Sequence, residues 1–295
     1  MALGLLVFLA GCSGTGGTVD DRGIFKPDKA IPGEIKPAGE AEFLAGDYKA
    51  AKPLLTEAGR NGSLRAVFYL RIIVEIGLDG EAPNAQEADR LVTLMGAMKS
   101  RLEDLAFNGP GADQGIYLTS LAIAYFRGKI EGGPDLQRAL RLAREAASRG
   151  FIPGVNLAAA ILVTPGVEAG VIKDLWGGGL NEAFNLSHSA ALKNDVLAMG
   201  NVGYLYRVGQ GVSLDAYQGA SWSRKAAQIP QTTPRVLNDL GAVYEEGRAV
   251  TPDKDEALRW YGLAAARGYK MGANNQARLR SGKGGSPEVL TGLEY

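Results

Sequence analysis

The sequence predicts an all-α fold, a solenoid built from antiparallel helix pairs. Three observations carry that expectation. The second half of the chain repeats itself at an interval of 38 residues. Subtracting 38 from Gly241, Tyr244, Gly247, Val250, Asp253, Trp260, Ala264 and Ala265 gives Gly203, Tyr206, Gly209, Val212, Asp215, Trp222, Ala226 and Ala227, the same residue type at every position. Apolar residues recur three and four apart, as in Ala257, Trp260, Tyr261 and Ala264, which places them on one helical face. No stretch asks for a strand with any force. Val67 to Ile76 is rich in β-branched and aromatic residues, but Arg71 and Glu75 stand at i,i+4 and the run is long enough for a helix.

The chain opens on an apolar run, Leu3 to Ala10, that carries no charge. It is too short to cross a bilayer as a helix and suits the apolar region of an export signal. The tetrad Leu9-Ala10-Gly11-Cys12 that follows resembles the lipobox of bacterial lipoproteins. The resemblance implies cleavage after residue 11 and acylation of Cys12, and several acyl chains hold a protein stably on a membrane. One feature departs from that pattern, since no Lys or Arg precedes Arg22. Ser13 follows the cysteine, which by the same resemblance implies sorting to the outer membrane. Residues 12–38 carry glycines and prolines too closely spaced for a helical or strand period, so they are expected to form a tether.

From residue 39 to 282 the expected element is the helix. Each repeated residue has a physical task there. Gly241 and the Ala264-Ala265 pair lack bulk and let two helices approach closely. Tyr244 and Trp260 fill the space between units with apolar area. Gly247 and Gly268 can end a helix at positive φ, and Asp253 stands where a carboxylate caps the next helix. The second copy, with Gly203, Tyr206, Gly209, Asp215, Trp222, Ala226 and Ala227, repeats those tasks. A weaker copy precedes it, with Tyr125, Gly128, Asp135, Ala139, Leu142, Ala146, Ala147 and Gly150. The resulting map places helices at 39–46, 48–59, 63–77, 84–107, 113–128, 135–149, 153–162, 180–193, 196–208, 215–228, 234–246, 254–267 and 270–280. The insert at 163–180, with Trp176 beside three glycines, is the oddest segment, and 283–295 is expected to form a tail.

The pattern Gly-x2-Tyr-x2-Gly-x2-Val-x2-Asp-x6-Trp-x3-Ala-Ala resembles the Sel-one-like repeat, a relative of the tetratricopeptide repeat. Gly46-Asp47-Tyr48, followed by Ala51, Leu54, Leu55 and Ala58, resembles a tetratricopeptide unit. The resemblance implies a right-handed solenoid and a role in binding proteins, often in the bacterial envelope. The whole layout, anchor followed by repeats, is similar to the lipoprotein scaffolds of exopolysaccharide secretion, alginate export among them.

Composition removes several other classes. The chain has 295 residues, one cysteine and one histidine, so it cannot supply the ligands of a zinc or haem site. No cofactor is expected. With 32 basic and 32 acidic residues it lacks the basic excess that binds nucleic acid. His188 lies within a helical stretch where Ser187 and Ser189 point to other faces, so it is expected between helices and not in a catalytic triad. The glycine runs at 177–179 and 282–285 lack the ending of a phosphate loop.

The expected function is therefore that of a lipid-anchored scaffold on the periplasmic side of the outer membrane. Its partners would be envelope proteins, with no small-molecule substrate. Arg127, Arg207 and Glu245 stand just after the repeat tyrosine and change identity while the framework does not, so they are expected, with Trp176, to select the partner. A surface-displayed or secreted factor binding host proteins is the alternative, and an envelope enzyme ranks below both.

Overall fold

A computed structural model of the chain describes residues 17–19, 25–27, 33–164 and 179–295. Cys12, Trp176 and most of the 163–180 insert lie outside the described residues. Among those described, fourteen helices follow a short ribbon. The ribbon pairs β1 (Gly17–Val19) antiparallel with β2 (Phe25–Pro27), in the register Gly17↔Pro27, Thr18↔Lys26 and Val19↔Phe25. It corrects the expectation that the 12–38 stretch holds no strand. Thr18, Val19 and Phe25 are strand-favouring residue types, but three-residue strands are too short to show a period in the sequence.

The helices are α1 (Glu40–Leu44), α2 (Tyr48–Arg60), α3 (Leu64–Ile76), α4 (Ala85–Ala97), α5 (Lys99–Asn108), α6 (Gln114–Phe126), α7 (Leu136–Ser148), α8 (Ile152–Leu162), α9 (Gly179–Ala191), α10 (Val196–Val208), α11 (Ala216–Ala227), α12 (Pro234–Glu246), α13 (Lys254–Ala266) and α14 (Lys270–Arg280). Twelve of them meet expectations to within a few residues. The exception is 84–107, expected as one helix and found as two. Gly96 explains the break. The main-chain carbonyl of Lys129 packs so closely against it that any Cβ would collide. Met98, with φ −100° and ψ 26°, then leaves helical geometry and starts α5 in a new direction.

Local chemistry fixes the pairs. Asp135, Asp215 and Asp253 each accept hydrogen bonds from the first free N–H groups of α7, α11 and α13 at 2.8–3.0 Å. The main-chain N–H of each of these aspartates donates in turn to the carbonyl of the repeat tyrosine, Tyr125, Tyr206 or Tyr244, at 3.0 Å. That second bond closes the turn between the two helices of a unit. Gly209 and Gly247 end α10 and α12 at φ 71° and 65°, a region other residues enter only with strain. Gly241 serves close approach: a Cβ there would stand 2.6 Å from the Tyr261 ring.

The first helices of the units, α3, α6, α8 and α12, bury most of their residues, and α10 buries about half of its own. The second helices bury one face, as α7 does through Ala139, Leu140, Leu142, Ala143 and Ala146. The first helices thus form the inner layer of the solenoid. Arg65 locks its beginning, pairing with Glu40 at 2.5 Å and Asp113 at 2.6 Å. The curve brings distant units together. Gly46, before α2, lies against the side chain of Gln231, and Gly268, after α13, packs so tightly on Ala82 that a Cβ would collide. Among the described residues no helix is long and apolar enough to cross a membrane.

Candidate functional site: the inner groove

The inner face of the solenoid is occupied by the chain's own residues 288–295. Glu288 lies against α12 and α14, and Tyr295 against α3 and α6. Seven residues can span at most about 25 Å. Crossing several inner helices packed about 8–10 Å apart uses nearly all of that length, so the segment is extended apart from a bend at Gly292.

Three buried asparagines hold it by its main chain. The Asn201 amide donates to the Glu294 carbonyl at 2.8 Å and accepts from the Glu294 N–H at 2.9 Å. A primary amide carries its donor and acceptor side by side, so it pairs with one residue of an extended chain much as a neighbouring strand would. Asn275 does the same with Glu288, at 2.7 Å in both directions. Asn238 donates to the Glu288 carbonyl at 2.9 Å and accepts from Asn275 at 2.9 Å. Between these clamps Arg235 donates to the carbonyls of Leu290 and Gly292, at 3.3 and 2.6 Å, and the Tyr204 hydroxyl accepts from the Gly292 N–H. Gly292 sits at φ 93°, which turns both its polar groups to the wall.

The last three side chains are read individually. Leu293 is buried in the main core. The Glu294 carboxylate accepts from the buried Thr233 hydroxyl at 3.0 Å. The Tyr295 hydroxyl accepts from Arg127 at 2.9–3.0 Å, its ring lies 5.7 Å from that of Phe126, and the guanidiniums of Arg71 and Arg127 stand 5.7 and 5.5 Å from the ring centre. Arg71 and Arg127 both pair with Glu75, and Arg235 pairs with Asp239. Arg71, Arg127 and Arg235 outnumber the carboxylates Glu75 and Asp239, and the Glu294 carboxyl stands near Arg235. Burial pushes the Glu294 carboxyl above the usual carboxylate range, against the pull of Arg235 and Thr233. Burial alone would lower Arg235, but Asp239 and Glu294 hold it above its ordinary value.

The expected selector residues fall in different places. Arg127 lies in the groove and binds Tyr295. Arg207 lies half-buried beside Tyr204, 5.7 Å from its ring centre, and among the described residues no carboxylate pairs with it. Glu245 is tied within the fold, accepting from the Tyr261 hydroxyl at 2.7 Å and pairing with Arg278 at 2.6 Å. His188 stands between helices, stacked on Phe184 and edge-on to Trp222. Sequence reasoning passed over Asn201, Asn238 and Asn275. Their spacing of 37 and 37 residues, beside the 38-residue repeat, was a signal that could have found them.

The helix pairs match known proteins. Three stretches, 117–151, 196–228 and 234–269, match the Sel1 repeat model. Those three stretches are Sel1 repeats. Repeats of this kind mediate protein–protein interaction. Over 158 residues the chain is 30% identical to the chitin synthase regulator SKT5 of Saccharomyces cerevisiae, covering 53% of this chain and 21% of that protein. It thus spans about a fifth of that relative's length. Among solved structures it is similar to c5321, a protective antigen of uropathogenic Escherichia coli strains with an SLR fold. The TM-score is 0.50 at 22% identity, covering 83% of this chain and 48% of that one. A Sel1 repeat protein from Oxalobacter formigenes aligns with a TM-score of 0.46 at 22% identity, covering 78% and 83%. The fourteen helices, the Sel1 matches and the likeness to c5321 together show an α-solenoid of helix pairs.

Proposed function

We propose that the chain is an adaptor anchored by a lipid at Cys12 to the periplasmic face of a bacterial outer membrane, and that it receives a segment of a protein partner in its inner groove. One observation carries the binding half of this reading: buried asparagines of three repeat helices grip the main chain of an extended segment. Main-chain recognition accepts many sequences and leaves selection to a few side-chain contacts. The anchor rests on the lipobox tetrad. An envelope assembly for exopolysaccharide export is the narrower setting supported by the layout of anchor and repeats.

Crosslinked affinity purification of the lipidated protein tests both halves. The wild type should capture envelope proteins from membranes, and Asn201→Ala/Asn238→Ala should lose them while remaining folded. Cys12→Ala should move the protein from membrane to soluble fractions. Retention of partners by the groove variant would sink the groove, and retention on the membrane would sink the anchor.

A further inference from the structure

We propose that residues 288–295 are a resident ligand of the groove, and that the partner displaces them with an extended segment of its own carrying a glycine, an apolar, an acidic and an aromatic residue in that order. This rests on the reading of the groove as the binding surface and names the chemistry that fits it. The groove sets each position of the pattern. The site of Gly292 requires positive φ. Leu293 enters an apolar pocket. The Glu294 carboxyl accepts from Thr233 near the Arg235 guanidinium, and Tyr295 fills the space between Arg71, Arg127 and Phe126. Glu288, farther back, is held only by its main chain and by an exposed contact to Asn274, so that end accepts other residues.

Replacement is physically reasonable because the segment's attachment is polar over most of its length. Each of its main-chain hydrogen bonds can be remade by an incoming main chain, and its side-chain bonds by an acidic and an aromatic residue at the matching positions, so exchange costs little net free energy. Covalent tethering gives the resident segment a high effective concentration, and a competitor must overcome it. The wild-type groove is therefore mostly closed to a free peptide, and loosening the segment opens it.

The test uses the full chain and a fluorescent peptide with the sequence of residues 286–295. In the variant Leu293→Ser/Tyr295→Ala the peptide should bind one to one, about tenfold or more tighter than to the wild type. Adding Asn201→Ala should abolish that binding. A peptide with Lys in place of the residue corresponding to Glu294 should bind about tenfold more weakly to the loosened variant. Equal affinity for wild type and loosened variant would overturn the proposal. So would loss of the helical circular dichroism signal in the variant, since the segment would then be part of the core and not a ligand. Wild-type dimers that the peptide does not disperse would assign the groove to a second copy and equally overturn it. If the peptide fails while the groove variant still loses its captured partners, this proposal falls and the adaptor reading stands. If capture survives in the groove variant, the adaptor reading falls too.

Discussion

At Glu294 two demands conflict. The surplus of inward guanidiniums favours an anion there, while burial disfavours it, and burial is the larger effect. The charged groups around the carboxyl are Arg235 and Asp239 on α12 and Glu75 on α3, with the Tyr269 hydroxyl nearby. A carboxyl whose docked pKa lies above its free value, near 4.3, holds its proton more tightly when docked. Its contribution to docking is full below the free pKa and is lost as pH rises through the raised one. Peptide binding to the loosened variant should therefore take up a proton and weaken as pH rises above the free carboxyl's value. Titration calorimetry in two buffers of different ionisation enthalpy measures that uptake directly. A peptide with Gln at this position should show a flat profile. A flat profile with Glu would mean the carboxyl is not buried in the bound state.

At the scale of the element, legibility followed locality. The caps at Asp135, Asp215 and Asp253 were visible because capping involves residues two or three apart. The split between α4 and α5 was not, because its cause is the Lys129 carbonyl, more than thirty residues away from Gly96. A further unit was hidden for another reason. Asn84 caps α4 and donates its N–H to the Val74 carbonyl at 2.8 Å, the same turn bond that the aspartates make to the repeat tyrosines. The geometry survives there with Val in place of Tyr and Asn in place of Asp, so residue identity conceals it. If the shared turn is the real unit, Asn84→Ala and Asp253→Ala should destabilise the protein by similar amounts, about 1 kcal/mol each. The two sites are far apart, so the losses should add in the double variant. Urea unfolding should show the change in midpoint with an unchanged slope. A cost at Asp253 with none at Asn84 would make the hidden unit a coincidence of shape.

For the whole molecule, the segment in the groove changes what kind of solenoid this is. In an open solenoid each unit touches only its neighbours, and stability is a sum of local terms. Here residues 288–295 contact α14, α12, α10, α6 and α3 in turn, and the contacts Gly46–Gln231 and Gly268–Ala82 join early units to late ones. No sequence period could report these links, because they join residues up to 224 positions apart. They couple units that would otherwise unfold independently. The wild type should then unfold in one transition whose van't Hoff and calorimetric enthalpies agree. Leu293→Ser/Tyr295→Ala should remove the coupling that runs through the groove, so its transition should broaden and the van't Hoff value should fall below the calorimetric one. Scanning calorimetry of the two proteins decides the matter. If the variant's ratio stays at one, the loop contacts alone provide the cooperativity, and the segment is free to leave without loosening the repeats around it.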